Sequence, residues 1–386
     1  MELTIKTDIF ATELGIVALA AERRGSMPIL GCVLIEAKKA TLPGDDDEVK
    51  ITATDLDIAL WAVIKADVKT AGAAAVPLKK LMDYVRLVDG DEITIKDTAK
   101  LWVQVTSGNS KNKMAGMDPE NFPTIDQASA SSATIPAKPL ASAIRRVALA
   151  VTRQQNRFTV NGALLEFINE NTARLVTTDG HRLCLAEVEY AGTRPTGKTI
   201  IPLPALSALE KLAEFSQLAE SFRYGIAGGT NYTGMVFSLG RRELFVRGLA
   251  GSFPDYERAL PPHRNDSLTV DRNVLLRAIG RSVLFSDDRS HAVKLTIDAA
   301  SEIRISSAVA DAGESEEVVP AEVDGGHLEA GYSGKYIAEF LSVAGTDRVL
   351  FTYKDVNSPL VCRPVVEGAE AETAKRYDCL IMPMRI

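Results

Sequence analysis

The chain has 386 residues, 46% of them hydrophobic and 25% charged, which suits an ordinary globular protein of two to four domains. Its 51 Asp and Glu exceed its 44 Lys and Arg, giving a net charge of −7, so a globally basic nucleic-acid binder is excluded. Apolar runs such as Ile16–Ala21 are too short to span a membrane. Met1–Ile5 alternates like a strand and carries no signal-peptide pattern, so a cytoplasmic location is expected.

The first predicted element is an amphipathic helix over Asp8–Glu22, with Ile9, Leu14, Val17 and Ala21 on its apolar side and Arg23-Arg24 at its end. Strands follow at Pro28–Ala37 and Val49–Val63. A third strand runs into a second helix over Ala75–Val88, and further alternating strands lie in Glu92–Val105. The run Pro43–Glu48 has three consecutive aspartates but lacks the spaced ligands of a calcium loop, so it reads as a solvated hairpin tip. Asn121-Phe122-Pro123 closes this segment, and Gln127–Ala133 is a small-residue linker.

The pattern then recurs. Ala137–Gln154 predicts a helix with Leu140, Ile144, Val147, Ala148 and Val151 inside. At ~100° per residue, Lys138, Arg145, Arg146 and Arg153 share the opposite face, and the stretch holds no acid. Strands at Val160–Ile168 and Ala173–Val188, a strand-plus-helix at Ile200–Phe215, strands in Met235–Gly248 and the tail Ser252–Tyr256 follow. After the breaker Leu260–His263, Asp271–Ser286 predicts a third such helix, with Arg277 and Arg281 opposite its apolar stripe. Strands at His291–Asp298 and Glu302–Ala310, an acidic loop at Asp311–Glu317, a strand-plus-helix at Ala330–Val343, strands in Arg348–Val365 and an apolar, Met-rich end at Leu380–Ile386 complete the chain. A period of about 130 residues is domain-sized. The expected fold class is α+β: three copies of one domain, each with two helices packed on antiparallel sheet, over 1–128, 129–262 and 263–386.

Catalytic chemistry is scarce. The chain has no phosphate loop, nucleophile elbow or zinc helix, and its four histidines are isolated. Cys32, Cys184, Cys362 and Cys379 are scattered, mostly in apolar strands, and read as buried thiols of a reducing compartment. Asp179 and His181, in Thr177–Arg182, are the one pair that fits acid–base or metal work. An Asp-Gly turn accounts for the same residues structurally. The expectation is a non-enzyme without metal or cofactor.

The motifs Pro28-Ile29-Leu30-Gly31, Thr54-Asp55-Leu56, Asn161-Gly162, Thr178–Leu183, Phe253–Tyr256 and Met382–Arg385 run through all three repeats. In their order and spacing the chain resembles the bacterial DNA sliding clamps, the beta subunits of DNA polymerase III. The resemblance implies three DNA-clamp domains forming half of a closed ring. Two chains would join head to tail around duplex DNA, without sequence specificity, and tether the polymerase. It also implies DNA contacts at Arg24, Gln154, Phe158 and Thr159, with basic Arg157 beside them. The family often has two aromatics where this chain has Phe158-Thr159. Periodicity adds Lys138, Arg145, Arg146, Arg153, Arg277 and Arg281, which equally fit solvated helix faces.

The resemblance further implies a partner-peptide pocket built from Val160, Thr178, Gly180, His181, Arg182, Leu183, Pro254, Arg258, Ala259, Leu380, Met382, Pro383, Met384, Arg385 and Ile386. The replicative polymerase, the clamp loader, and repair polymerases or ligase would bind it through short linear motifs. Ala259 stands where a β-branched residue is common, predicting a roomier pocket. The ring joint is expected to set Lys111, Lys113 and Met114 against Leu284, Phe285, Glu314, Glu316 and Glu317. A metal-dependent enzyme, inactivated by chelation, and a groove binder that prefers short linear duplexes are the competing classes.

Overall fold

The computed structural model describes the chain except residues 23–26, 43–44, 126–130, 153–157, 216–219, 230–231, 261–265, 299–300, 310–312, 367–374 and 386. Six α-helices occur among the described residues: α1 Thr7–Val17, α2 Leu78–Val85, α3 Ala137–Val147, α4 Leu203–Glu214, α5 Arg272–Val283 and α6 Gly334–Val343. Each repeat supplies two, and each helix follows directly on a strand. The α1 helix packs on α2 and α5 on α6. Asp271 caps α5, its carboxylate accepting from the Val274 N–H at 2.8 Å.

Two helices are shorter than their periodicity predicts. Both α1 and α3 tighten into 3₁₀ turns, at Ala18–Ala20 and Ala148–Ala150, and the chain is extended at Ala21 and Val151. Val151 stays buried without being helical, because the Val147–Ala150 turn delivers it to the same core.

Among the described residues all strand pairing is antiparallel, in sheets of five, nine and twelve strands. The strand Ile58–Lys65 of the first repeat pairs with Arg242–Arg247 of the second. Arg182–Glu189 of the second pairs with Tyr377–Ile381 of the third. The chain accordingly gathers into two compact units. One comprises Met1–Lys138, Ala191–Pro195 and Ser207–Gly248; the other Pro139–Tyr190, Thr196–Leu206 and Leu249–Ile386. The central repeat is divided because each of its sheets continues into a neighbouring repeat's sheet.

One loop expectation is corrected, and the hairpin tip at Pro43–Glu48 holds, between the paired strands Cys32–Lys38 and Glu48–Thr54. Where an acidic loop was expected over Asp311–Glu317, a twelve-residue strand runs over Gly313–Asp324. Glu314, Glu316, Glu322 and Asp324 alternate with Ser315, Val319 and Ala321, so one face is mostly acidic while the other meets the core and carries Glu317, paired with Arg281. In Pro43–Glu48, Asp47 is structural: its carboxylate accepts from the N–H groups of Ala40 and Val68 at 2.8 and 3.0 Å. Those donors hold its pKa below the usual carboxylate value.

Candidate functional site

The strand Thr172–Thr178 ends in a turn built by its own side chains. Asp179 Oδ1 accepts from the N–H groups of His181 and Arg182, both at 2.9 Å. Thr178 Oγ1 accepts from Gly180 N–H and donates to the Arg182 carbonyl. Gly180 has φ +90°, a conformation that suits glycine. The first repeat builds the same turn from Thr54, Asp55 and Ile58, with Leu56 at φ +79°. Asp179 is thus occupied by backbone and by Arg182 Nε at 3.0 Å. Among the described residues, no group of three or more His, Cys, Asp or Glu could hold a metal.

The turn launches Leu183 into an apolar cluster with Leu164, Val176, Leu185, Ile200, Tyr256, Val361 and Leu380, flanked by Leu249, Phe253 and Leu260. Leu183 and Leu380 are directly paired across the strands. Val160 is also buried. Pro254, Arg258, Ala259, Gly180 and His181 are exposed. The C-terminal end is docked: Met382 N–H donates to the His181 carbonyl at 2.9 Å and Met384 N–H to Gly331 at 2.8 Å. Pro383 and Met384 are half-buried, while Met382 and Arg385 are exposed. Ile386 lies outside the described residues.

Arg182 is buried and paired within the chain. It is 8% exposed, its guanidinium donates to Asp179, Glu339 and the Leu149 carbonyl, and it lies 4.1 Å over the Tyr336 ring. Burial would lower its pKa, but the two carboxylates prevail and raise it. Its work is to fix the turn against α6 and the end of α3. Arg182→Met should therefore destabilise the chain by about 2–4 kcal/mol, because a partly buried carboxylate pair loses its counter-ion. An unchanged thermal unfolding midpoint would rule out this role.

Tyr256 is the residue that sequence reasoning left as a motif letter. It is buried, its hydroxyl donates to Glu166, and it accepts from Arg174 at 2.9 Å. Arg174 also pairs with Glu187 at 2.7 Å and Lys198 with Glu166 at 2.7 Å. Burial, then the Glu166 bond, push the phenol up to about 12. The network pins the Phe253–Leu260 segment beside the apolar cluster. A tyrosine two residues after a Phe-Pro pair was the only available signal.

The basic positions divide. Lys138, Arg145 and Arg277 are exposed. Arg146 is not a free face cation: its guanidinium stacks 5.1 Å over Tyr377 and donates to the Ala344 carbonyl at 3.4 Å, and burial lowers its pKa. Arg281 forms a two-point ion pair with Glu317, at 2.7 and 2.5 Å. Arg24, Arg153, Gln154 and Arg157 lie outside the described residues, as does the Phe158 side chain. Thr159 follows Phe158 in a 3₁₀ turn. Lys79, Lys80 and Arg86 at α2, and Lys335 on α6, are exposed cations that the reading passed over. The Lys-Lys pair opening α2 was the visible signal.

At the expected joint, Ser110–Ala115 is an edge strand carrying Lys111, Lys113 and half-buried Met114. Leu284 is 76% exposed, and Phe285 is half-buried near Gly313. Glu314 is exposed, Glu316 pairs with Arg304 at 2.8 Å, and Glu317 with Arg281, so two of the three acids are already paired within the chain.

Three repeats of paired helices on antiparallel sheet, with a backbone-docked tail beside an apolar cluster, define a protein of the DNA-clamp class. Models of the DNA polymerase III beta subunit match in series: its N-terminal domain over residues 1–126, its central domain over 134–255 and its C-terminal domain over 257–385. The beta sliding clamp of Pseudomonas aeruginosa is 28% identical over 389 residues, covering 100% of both chains. That of Synechococcus elongatus is 28% identical over 372 residues, 95% of this chain and 96% of its own. A structure of the Pseudomonas aeruginosa sliding clamp bound to griselimycin superposes with a TM-score of 0.88 at 28% identity, over 100% of both chains. The chain belongs to the DNA polymerase III beta subunit family, the beta sliding clamps. It is a processivity factor of DNA replication and not a catalytic subunit. No helix among the described residues is long and apolar enough to cross a membrane.

Proposed function

We propose that two copies of this chain close head to tail into a ring around duplex DNA, and that the ring tethers the replicative polymerase and other replication and repair proteins through the pocket at Leu183 and Leu380. The observation that carries the pocket is the docked C-terminal end, which holds exposed Met382 beside a buried leucine floor. Met is suited to accept differently shaped apolar anchors. The clamp loader would reach the same site. The griselimycin-bound relative supports a ligand site on this fold, and here that site is assigned to the same cluster.

Closure is supported by two open strand edges. Ser110–Ala115 pairs on one side only, and so does the Gly313–Pro320 half of the long strand, whose remainder pairs with Asp266–Asp271. A heterologous joint between such edges, repeated twice, closes a ring. The exposed cations Lys79, Lys80, Lys138, Arg145 and Arg277 would meet phosphate without reading bases. Arg24, Arg153, Gln154, Arg157, Phe158 and Thr159 remain proposed DNA contacts from the sequence alone.

The test is topological. Rings loaded on nicked circular plasmid should survive salt that strips ordinary binders, and linearising the plasmid should release them. Electrostatic binding alone falls ~10³–10⁵-fold between 50 and 200 mM salt for a protein with 6–10 phosphate contacts. Equal salt sensitivity on circular and linear DNA would reduce the protein to a surface binder.

A further inference from the structure

Cys184 and Cys379 face each other across the strand pair that joins the second and third repeats. Both are fully buried free thiols, and the Cys184 S–H donates to Cys379 Sγ at 3.3 Å. The ladder fixes the kind of pair. Met382 N–H bonds to the His181 carbonyl and Glu187 N–H to Arg376, so 181/382 and 187/376 are hydrogen-bonded pairs. Bonded and non-bonded pairs alternate along an antiparallel ladder, which makes 184/379 a non-bonded pair. Such pairs have Cα atoms only about 4.5 Å apart and their side chains closest. That separation lies inside the range a disulfide spans.

Cys362 is in register with Cys379 on its other side. Because the Cys379 backbone turns its N–H and carbonyl away from Arg182–Glu189, 379/362 is a bonded pair, with Cα atoms roughly 5.5 Å apart. Cys32 lies in the other compact unit. Both strand separations lie within the disulfide range, and the sulfur–sulfur contact at 3.3 Å is what singles out Cys184 and Cys379.

We propose that Cys184 and Cys379 are an oxidative modification site, closing to a cross-strand disulfide when a peroxide reaches the folded chain. One sulfur, as thiolate, attacks a peroxide oxygen; an S–O bond forms, the O–O bond breaks, and the leaving hydroxide takes up a proton as water. The second sulfur attacks the first, the S–S bond forms, the S–O bond breaks, and a second water leaves. Two thiols and one hydrogen peroxide thus give one disulfide and two waters. The hydrogen bond to Cys379, then burial, raise the Cys184 pKa, and burial excludes solvent, so the reaction is slow and waits on local opening of the Arg182–Glu189/Tyr377–Ile381 seam. The bond staples the two repeats at that seam and closes a loop between residues 195 apart in sequence. Leu183 and Leu380, the next residues along each strand, point from the opposite sheet face into the apolar cluster. The staple fixes the spacing of that floor. This inference stands apart from the proposed function, since it needs only the seam.

The test treats the full chain with hydrogen peroxide under native conditions, followed by intact mass and a non-reducing peptide map. The expected result is the loss of two hydrogen atoms, one linked 184–379 peptide pair that dithiothreitol releases, and a higher unfolding temperature for the oxidised form. The link should persist in Cys362→Ser and Cys32→Ser and vanish in Cys379→Ser. Should Cys379→Ser fail to fold, the wild-type map still identifies the linked sulfurs. A 362–379 link, conversion to sulfinic or sulfonic acid without a link, or a link formed only in urea would each overturn the proposal.

Discussion

Leu284→Ala with Phe285→Ala is expected to leave the chain monomeric at micromolar concentration. Leu284 is 76% exposed at the end of α5, so a partner strand would remove its apolar surface from water. Phe285 is half-buried beside the start of the Gly313–Pro320 edge. Burying a side chain of this size is worth about 1.5–3 kcal/mol. A head-to-tail dimer makes the joint twice, so the double substitution loses this contribution at both joints, and every 1.4 kcal/mol is about tenfold in dissociation constant. Charge weighs less than the sequence suggests. Glu316 and Glu317 already pair with Arg304 and Arg281, and exposed ion pairs contribute only ~0–1 kcal/mol each. Lys111→Ala with Lys113→Ala should therefore shift the dimer constant far less than the apolar pair. Light scattering across a dilution series reads both, and a Leu284/Phe285 variant that remains dimeric would refute the joint.

Removing Met382–Ile386 is expected to abolish binding of a polymerase C-terminal peptide while leaving dimer and DNA topology intact. The cut falls after Ile381, which stays buried and paired with Arg182, so the Tyr377–Ile381 strand keeps its ladder. What disappears is the segment that crosses from His181 to Gly331. Two anchors at roughly 1.5–3 kcal/mol each, plus a few backbone bonds, must offset the ordering of a flexible peptide. The surplus should leave a micromolar dissociation constant, about −8 kcal/mol. Weak binding lets several partners exchange on one ring. Fluorescence anisotropy with labelled peptide, beside a mass measurement, separates the outcomes. Unchanged affinity would sink the pocket, and loss of the dimer would make the tail structural.

The sequence by itself determined what depends on near neighbours. Helices two to a repeat, the strand before each, the three-fold repetition and the Thr-x-Gly turn at 178–180 are set by periodicity and by side chains within four residues of the backbone they bond. The tertiary structure decided which charges are free. Arg281 reads as an outward cation until Glu317, 36 residues on, is placed against it. Arg182 reads as an unpaired cation until Glu339, 157 residues on, is placed against it. Arg146 loses its place on the basic face to Tyr377 and Ala344. Gly313–Asp324 escaped notice because an edge strand with one face in water tolerates the acidic composition that otherwise marks a loop. The Cys184–Cys379 contact depends on strand register between repeats, and a one-residue slip would turn one thiol to the opposite face. Local pattern specifies elements; register and long-range pairing, which no window along the chain contains, specify which of their side chains remain available to DNA or to a partner.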